Sequence, residues 1–176
     1  MNRLGKKTKV CFILTALFLT VWTLFYSLGF RIVRSNSMPP GIYRYVSGEP
    51  LRGRYVSFHL SEKWSKFVLE RGYLDYGFLH LREQPTIKHV AASEGDRVKV
   101  DSLGIWVNGK LLDTSAGLKA DSAGRPMPEF SLEEVTLKKG EFIVVSHHRA
   151  NGLDSRYYGI LNDQNFLSRV VPVFYF

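Results

Sequence analysis

The chain begins with a long apolar segment. Residues 10–30, VCFILTALFLTVWTLFYSLGF, contain no charged side chain. A helix rises about 1.5 Å per residue, so this run spans roughly 30 Å, the thickness of the hydrocarbon core of a bilayer. A buried helix of a soluble protein is expected to show a polar face, whereas only three threonines and one serine interrupt this run. The pattern therefore predicts one transmembrane helix.

The rest of the chain has the pattern of short β-strands. Apolar residues alternate or cluster in runs of three to five, which predicts strands at residues 54–58, 86–90, 97–100, 105–107, 110–112, 142–145 and 170–174. Asn108-Gly109 is a strong hairpin signal, and residues 101–104 predict a second tight connection. Helical spacing follows a potential cap at Ser61, and residues 113–131 have the composition of a surface loop. We predict a mainly β fold.

Charge refines this organisation. The formal net charge is +8, and half of it lies in residues 1–9, which carry four basic residues and no acidic residue. By the positive-inside rule, this tail is expected to be cytoplasmic, residues 10–30 an uncleaved signal anchor, and residues 31–176 an extracytoplasmic β-rich domain. The remaining 20 basic and 16 acidic residues form no basic stripe interleaved with aromatics, so nucleic-acid binding is not expected.

Several kinds of functional site find no support in the sequence. The single cysteine, Cys11, excludes an internal disulfide and a multi-cysteine metal cluster. The motifs of P-loop nucleotide-binding proteins, zinc proteases and Gly-x-Ser-x-Gly hydrolases are missing. On a strand, His147 and His148 would point to opposite faces, which is poor geometry for holding one metal ion together. We expect no metal site and no cofactor.

Two features suggest chemistry. Residues 35–41, SNSMPPG, follow the apolar run closely, so their hydroxyls are expected near the membrane surface. This segment is either a turn that leaves the bilayer or part of a catalytic site. Lys88 lies within the predicted strand at 86–90, on the same face as Thr86 and Val90. It is either a strand lysine that points to water or a functional amine.

Three sequence boxes resemble those of the type I signal peptidases. They are Ser-x-Ser-Met-x-Pro at residues 35–40, IKHVAASEGDRV at 87–98 and DSRYYG at 154–159, in the order of that family. The conjugative-transfer peptidases of the TraF type are the most similar branch. Supporting residues occur at 71–74, 107–109 and 124–126, together with Ser115 and Asp121. The resemblance implies a signal-peptidase-like β-rich catalytic domain behind one transmembrane helix.

The resemblance also implies roles for individual residues. Ser37, which precedes Met38, would be the nucleophile and Lys88 its general base. A lysine, with an ordinary pKa of about 10.4, can serve only if burial lowers that value. The backbone N–H of Ser37 and the hydroxyl of Ser35 would form the oxyanion hole.

The last box is expected to hold its position beside the site through an Asp154–Arg156 ion pair, with Ser155 between them. The family usually has a hydroxyl residue two positions before this aspartate, where it contacts the catalytic lysine. Here that position is Gly152. Lys88 would therefore need another partner, such as water or Thr86.

The leading hypothesis is a membrane-anchored serine endopeptidase of a bacterial inner membrane, with its catalytic domain in the periplasm. Its partners would be membrane lipid and a membrane-inserted precursor, for which a conjugative pilin is the leading candidate. The reaction would pass through an acyl-enzyme, which either water or an amine would resolve. One alternative is a general signal peptidase for secretory precursors. Another is a non-enzymatic pilus assembly factor, for which Ser37 and Lys88 would be dispensable. The sequence leaves the oligomeric state open.

Overall fold

A computed structural model describes residues 5–34, 38–77, 82–146 and 151–176. Three helices and ten strands follow one another along the chain: α1 (Lys6–Ser27), β1 (Phe30–Val33), β2 (Gly41–Val46), β3 (Tyr55–Phe58), α2 (Glu62–Glu70), β4 (Thr86–Ala92), β5 (Arg97–Asp101), β6 (Gly104–Val107), β7 (Lys110–Leu111), β8 (Leu132–Thr136), β9 (Ile143–Val145), α3 (Ser155–Tyr158) and β10 (Phe166–Tyr175). The predicted mainly β fold with one N-terminal apolar helix is confirmed.

The strands form two antiparallel sheets. The larger sheet has the order β1-β2-β10-β3-β4-β9, and the smaller has the order β7-β6-β5-β8. In the connection between β6 and β7, Asn108 and Gly109 have positive φ angles of 51° and 78°. Positive φ at both positions is typical of the hairpin turn that Asn-Gly predicts.

Helix α1 is the candidate membrane span. It is 22 residues long and none of its residues is buried against the rest of the protein. It begins four residues before the apolar run and ends before Phe30, which lies in β1. The helix stops before the apolar run does because Gly29 adopts a φ of 85°, a left-handed conformation that glycine reaches without strain.

The domain has three apolar clusters. One lies between the larger sheet and α2 and includes Phe58, Trp64 and Val68. A second joins the two sheets through residues of β4, β5, β6 and β9. The third and smallest consists of Met38, Tyr43 and Val170, with side chains such as Ile87 packed against it. Strand β4 contributes to all three and so lies at the centre of the domain.

Several elements were not predicted from the sequence. Strands β1 and β2 flank the Ser/Pro-rich segment, where turn signals dominate. Strand β8 has the sequence LEEVT and is mostly exposed, and its sequence shows no regular alternation of apolar and polar residues. Helix α3 is only four residues long, and the preceding residue Asp154 caps it by accepting the backbone N–H of Arg156 with its carboxylate.

Candidate active site

Lys88 is a buried amine on β4, between β3 and the edge strand β9 of the larger sheet. Its side chain is 5% exposed, so the interpretation of a strand lysine pointing to water is wrong. Its Nζ donates a hydrogen bond to Ser146 Oγ at 2.7 Å. Thr86, considered above as a partner for this amine, has a buried hydroxyl without a hydrogen-bond partner in the described structure. Among the described residues, Ser146 supplies a hydroxyl to Lys88, and sequence reasoning missed it.

The pairing of β4 with β9 explains this contact. His89 pairs with Val145 and Val90 with Val144 in an antiparallel register. Continuing that register by one residue places Ser146 opposite Lys88. Directly opposite residues of an antiparallel pair project their side chains from the same face, close together. Strand pairing cannot be read from the local sequence, so Ser146 carried no signal of its own.

The DSR box is packed against the end of β9. Arg156 Nη2 lies 2.7 Å from Asp154 Oδ2, and Arg156 Nε lies 2.7 Å from Asp154 Oδ1. The predicted ion pair is thus present, but it is buried and not a surface pair. Asp154 also accepts the backbone N–H of Ser146, and Ser155 Oγ accepts that of Val144. The box consequently fixes the backbone that presents Ser146 to Lys88.

Arg156 links this box to the long loop at residues 113–131. Its guanidinium donates to the carbonyl oxygens of Thr114, Ala116 and Gly152. Burial alone would lower the pKa of Arg156, but the hydrogen bonds and charge of Asp154 raise it above its ordinary value. The guanidinium therefore stays charged and joins the loop at residues 113–131 to the backbone at Gly152.

A cleft of about 960 Å³ opens beside the lysine. Lys88, Thr86 and Gly152 line one side. Tyr73 and Asp121 line another, where the Tyr73 hydroxyl donates to the Asp121 carboxylate. This hydrogen bond, opposed by burial and reinforced by Arg125, lowers the pKa of Asp121 below its ordinary range. The volume of the cleft lies at the upper end of the range of about 300–1,000 Å³ that is typical of ligand-binding pockets.

The cleft wall assembles residues that support the family resemblance. Arg71, Tyr73, Asp121 and Arg125 form one network, in which Arg125 Nε lies 2.7 Å from Asp121 Oδ2. Arg125 also donates to the backbone carbonyl of Arg71, and Arg71 Nη1 lies 3.7 Å from Asp121 Oδ2. The network ties the loop at residues 113–131 to the end of α2.

Other predicted site residues are placed only in part. Ser35 and Ser37 lie outside the described residues, as do His147 and His148. Met38, the next residue after Ser37, is 5% exposed and packs in the cluster that Ile87 contacts. Within the described ranges, no three His, Cys, Asp or Glu side chains come together as a metal site.

Comparisons with known proteins identify the family of the chain. The family model described as "Signal peptidase, peptidase S26" matches residues 5–175. "Plasmid transfer protein TraF" of Escherichia coli is 35% identical over 150 residues, which cover 84% of each chain. "Signal peptidase I V" of Bacillus subtilis strain 168 is 33% identical over 88 residues, or 46% of this chain and 52% of that protein. A solved signal peptidase I from Enterococcus faecalis V583 aligns with 70% of this chain and 98% of its own, at 19% identity and a TM-score of 0.39.

Proposed function

This chain belongs to the signal peptidase family, peptidase S26, and from that membership we propose that it cleaves membrane-inserted precursors with a Ser37–Lys88 dyad. The family makes it a serine-type peptidase that acts on precursor proteins. Membership also favours an enzyme over the assembly-factor alternative. The observation that carries the dyad is the buried Lys88 amine, which lines the cleft and is hydrogen-bonded to Ser146.

The burial of Lys88 supports its role as the general base. Burial disfavours the charged form of an amine, because a low-dielectric interior solvates an ammonium poorly. A neutral amine is the form that can accept a proton from a serine hydroxyl. Met38 supports the assignment of the nucleophile, since it is buried near Ile87 on β4 and directly follows Ser37 in the chain.

The proposed reaction passes through an acyl-enzyme. Ser37 Oγ attacks the scissile carbonyl carbon while Lys88 Nζ takes the hydroxyl proton. The Ser37 N–H and the Ser35 hydroxyl bind the resulting oxyanion, and one such donor typically contributes about 3 kcal/mol. The carbon–nitrogen bond breaks as Lys88 returns the proton to the leaving amine. Water then attacks the ester, again with Lys88 as base, and releases Ser37.

The substrate we propose is a conjugative pilin precursor. Relatives of high similarity are named plasmid transfer and conjugal transfer proteins. A cleft next to a membrane-anchored sheet suits a bond close to the lipid surface, bound as an extended strand. If the amine of the pilin itself replaces water in the second step, the product is joined head to tail. The match to a signal peptidase I favours secretory precursors as the second candidate.

The orientation is also a proposal. The apolar helix α1 and the relatives fit a single-pass membrane anchor. Lys6, Lys7 and Lys9 precede the apolar run, and an excess of basic residues favours the cytoplasmic side. The catalytic domain would then lie in the periplasm, at the outer surface of a bacterial inner membrane.

Intact mass spectrometry of a candidate pilin tests the dyad. The pilin is co-expressed with the full chain, with Ser37→Ala and with Lys88→Met, which keeps an unbranched apolar stem but removes the amine. We expect a trimmed pilin only with the unmodified chain. A further loss equal to one water, together with a blocked N-terminus, indicates joining to the amine.

Ser102→Ala and Lys110→Ala are the matched controls, because both residues are exposed and lie in the smaller sheet and its turns. Both should process the pilin normally. Equal processing by the Ser37→Ala and Lys88→Met chains would rule out the dyad. A pilin left intact by every chain, with a secretory precursor cleaved only by the unmodified one, would replace the pilin proposal with the general signal peptidase.

A further inference from the structure

Two residues close to Lys88, Ser146 and Gly152, compete for the same space. Gly152 lines the cleft next to Lys88. A Cβ atom added at Gly152 would lie 1.9 Å from Ser146 Oγ and 2.2 Å from Ser146 Cβ. Contacts this short between non-bonded atoms are prohibitive. A side chain at position 152 and the serine at position 146 therefore exclude each other.

The absence of a hydroxyl from position 152 thus has a structural explanation. The backbone at Gly152 lies outside the positive-φ region, so conformation alone does not require glycine there. What requires it is the Ser146 side chain, which occupies the same space and reaches Lys88 Nζ at 2.7 Å. The hydroxyl beside the lysine is supplied by the end of β9 in place of the last box.

We propose that Ser146 is the positioning residue for Lys88, and that Ser146 and Gly152 form an exchanged pair. This inference rests on the Ser37–Lys88 mechanism proposed above. A lysine side chain has four rotatable bonds and loses much of its freedom when a hydrogen bond fixes its end. The Ser146 hydroxyl holds Nζ in one place at the edge of the cleft, where a proton must be transferred.

Ser146 is itself held rigidly. Its backbone N–H donates to Asp154 Oδ2 at 2.7 Å, and Asp154 is fixed by Arg156. Ser146 is 5% exposed, so water cannot readily replace its hydroxyl. The ion pair, the serine and the lysine thus form one chain of contacts leading to the reacting atoms.

Exchange of the two residues tests the proposal. The full-length chain in detergent is assayed with a cleavable precursor, and kcat and KM are measured separately for Ser146→Gly, Gly152→Ser and the double variant. We expect Ser146→Gly to lower kcat by about ten- to hundredfold, because misplacing a catalytic group by about 1 Å has effects of this size. KM should stay within about twofold, since binding is unchanged.

The double variant gives the sharpest expectation. With glycine at position 146, serine at position 152 no longer meets the serine atoms, and its Cβ lies 3.1 Å from Arg156 Nη2, which requires only a small adjustment. The hydroxyl of the serine at position 152 then contacts Lys88 in place of the Ser146 hydroxyl, and kcat should recover most of what Ser146→Gly loses. Gly152→Ser alone should be inactive or unstable because its side chain overlaps Ser146.

Ser57→Ala is the matched control. Ser57 is also a fully buried serine, lies on β3 opposite Ile87 of β4, and has no hydrogen-bond partner in the described ranges. Its removal should leave kcat unchanged. If Ser146→Gly and Ser146→Ala fold and keep full kcat while Lys88→Met is inactive, the positioning role is wrong and the dyad stands.

Two other results would also overturn the proposal. If Lys88→Met is fully active, the dyad and the positioning role fail together. If the double variant folds with the thermal stability of the unmodified chain but stays as slow as Ser146→Gly, the hydroxyl is not what the lysine needs. Should the double variant not fold, Ser146→Ala decides, since a folded chain with unchanged kcat contradicts the role.

Discussion

At the scale of single residues, the buried Asp154–Arg156 pair organises the site. The two side chains are 0% and 2% exposed, and they bind backbone groups of β9, the loop at residues 113–131 and their own box. A buried ion pair is not by itself a strong source of stability, because both charges lose their hydration. Its removal on one side is costly, because the other charge is then left alone in the interior.

Replacement of Asp154 by asparagine should therefore destabilise the domain strongly. Asn keeps the shape of the side chain, but one of its two oxygens becomes an NH₂ group that cannot accept from Ser146 or Arg156. We expect a loss of about 3–5 kcal/mol in the free energy of unfolding. This corresponds to a fall of roughly 10 °C in the melting temperature, measured by thermal unfolding in detergent.

A surface ion pair provides the control for this substitution. Arg97 and Glu134 approach to 3.5 Å, and both side chains are at least half exposed. Glu134→Gln should change stability by less than about 1 kcal/mol. Equal melting temperatures for Asp154→Asn and Glu134→Gln would show that the buried pair does not organise the box.

At the scale of elements, the sequence predicted what depends on local pattern. Periodicity and turn residues predict the apolar helix, both hairpin connections and strands β3 to β7. The structure contains all of these elements. Strand order does not follow, because β10 inserts between β2 and β3 from the far end of the chain. The partner of Lys88 depends on that long-range pairing, so Ser146 could not be identified.

One element of the cleft wall also emerged only from the structure. Arg71, Tyr73, Asp121 and Arg125 were known as features of similar chains without an assigned role. Their network closes the cleft by joining the loop at residues 113–131 to the end of α2. The loop is long and has no strand of its own, so this network and the contacts of Arg156 with Thr114 and Ala116 together order it as a wall for substrate.

Tyr73→Phe should therefore weaken substrate binding without affecting the chemical step. The variant keeps the ring, which packs beside Phe67, but loses the hydroxyl that donates to Asp121. We expect KM to rise about three- to tenfold, which is less than the roughly 1.5–3 kcal/mol of a hydrogen bond to a charged group, because the wall acts on substrate only indirectly. The value of kcat should stay nearly constant in steady-state assays of precursor cleavage.

Tyr158→Phe is the control at the same cleft. Tyr158 also lines it, but its buried hydroxyl has no hydrogen-bond partner among the described residues. This substitution should leave KM unchanged. If both variants raise KM alike, or Tyr73→Phe leaves it unaltered, the network does not shape the binding wall.

At the scale of the whole molecule, the apolar helix α1 meets the larger sheet at its edge strand β1. Phe25 of α1 stacks on Phe30 of β1 with ring centroids 5.2 Å apart. Arg31 donates to the carbonyl oxygen of Tyr26, and Arg44 to that of Leu28. These contacts join the end of the helix to β1 and β2. Strand β10 pairs with the other side of β2, and its end lies beside Ile42 and Gly41 at the start of that strand. There Val173, Phe174, Tyr175 and Phe176 are each more than half exposed.

We expect this aromatic end of β10 to lie in the membrane interface, where aromatic side chains are favoured. With α1 as the proposed anchor, these residues would set the tilt of the domain and its distance from the bilayer more than its attachment. The double variant Phe174→Ser, Phe176→Ser should slow cleavage of a bilayer-inserted precursor by about three- to tenfold, less than full loss of two buried phenylalanines would give. Cleavage of a soluble peptide should not change.

Rates in proteoliposomes and in detergent measure this difference. Leu103→Ser is the control, since Leu103 is 61% exposed but lies in the turn between β5 and β6 of the smaller sheet. That variant should cleave both substrates normally. An equal slowing of the cleavage of both substrates by the β10 variant would indicate damage to the fold. If neither substrate is cleaved more slowly, the end of β10 lies in water. Only selective loss on the inserted precursor fits a domain whose sheet rests on the membrane that anchors it.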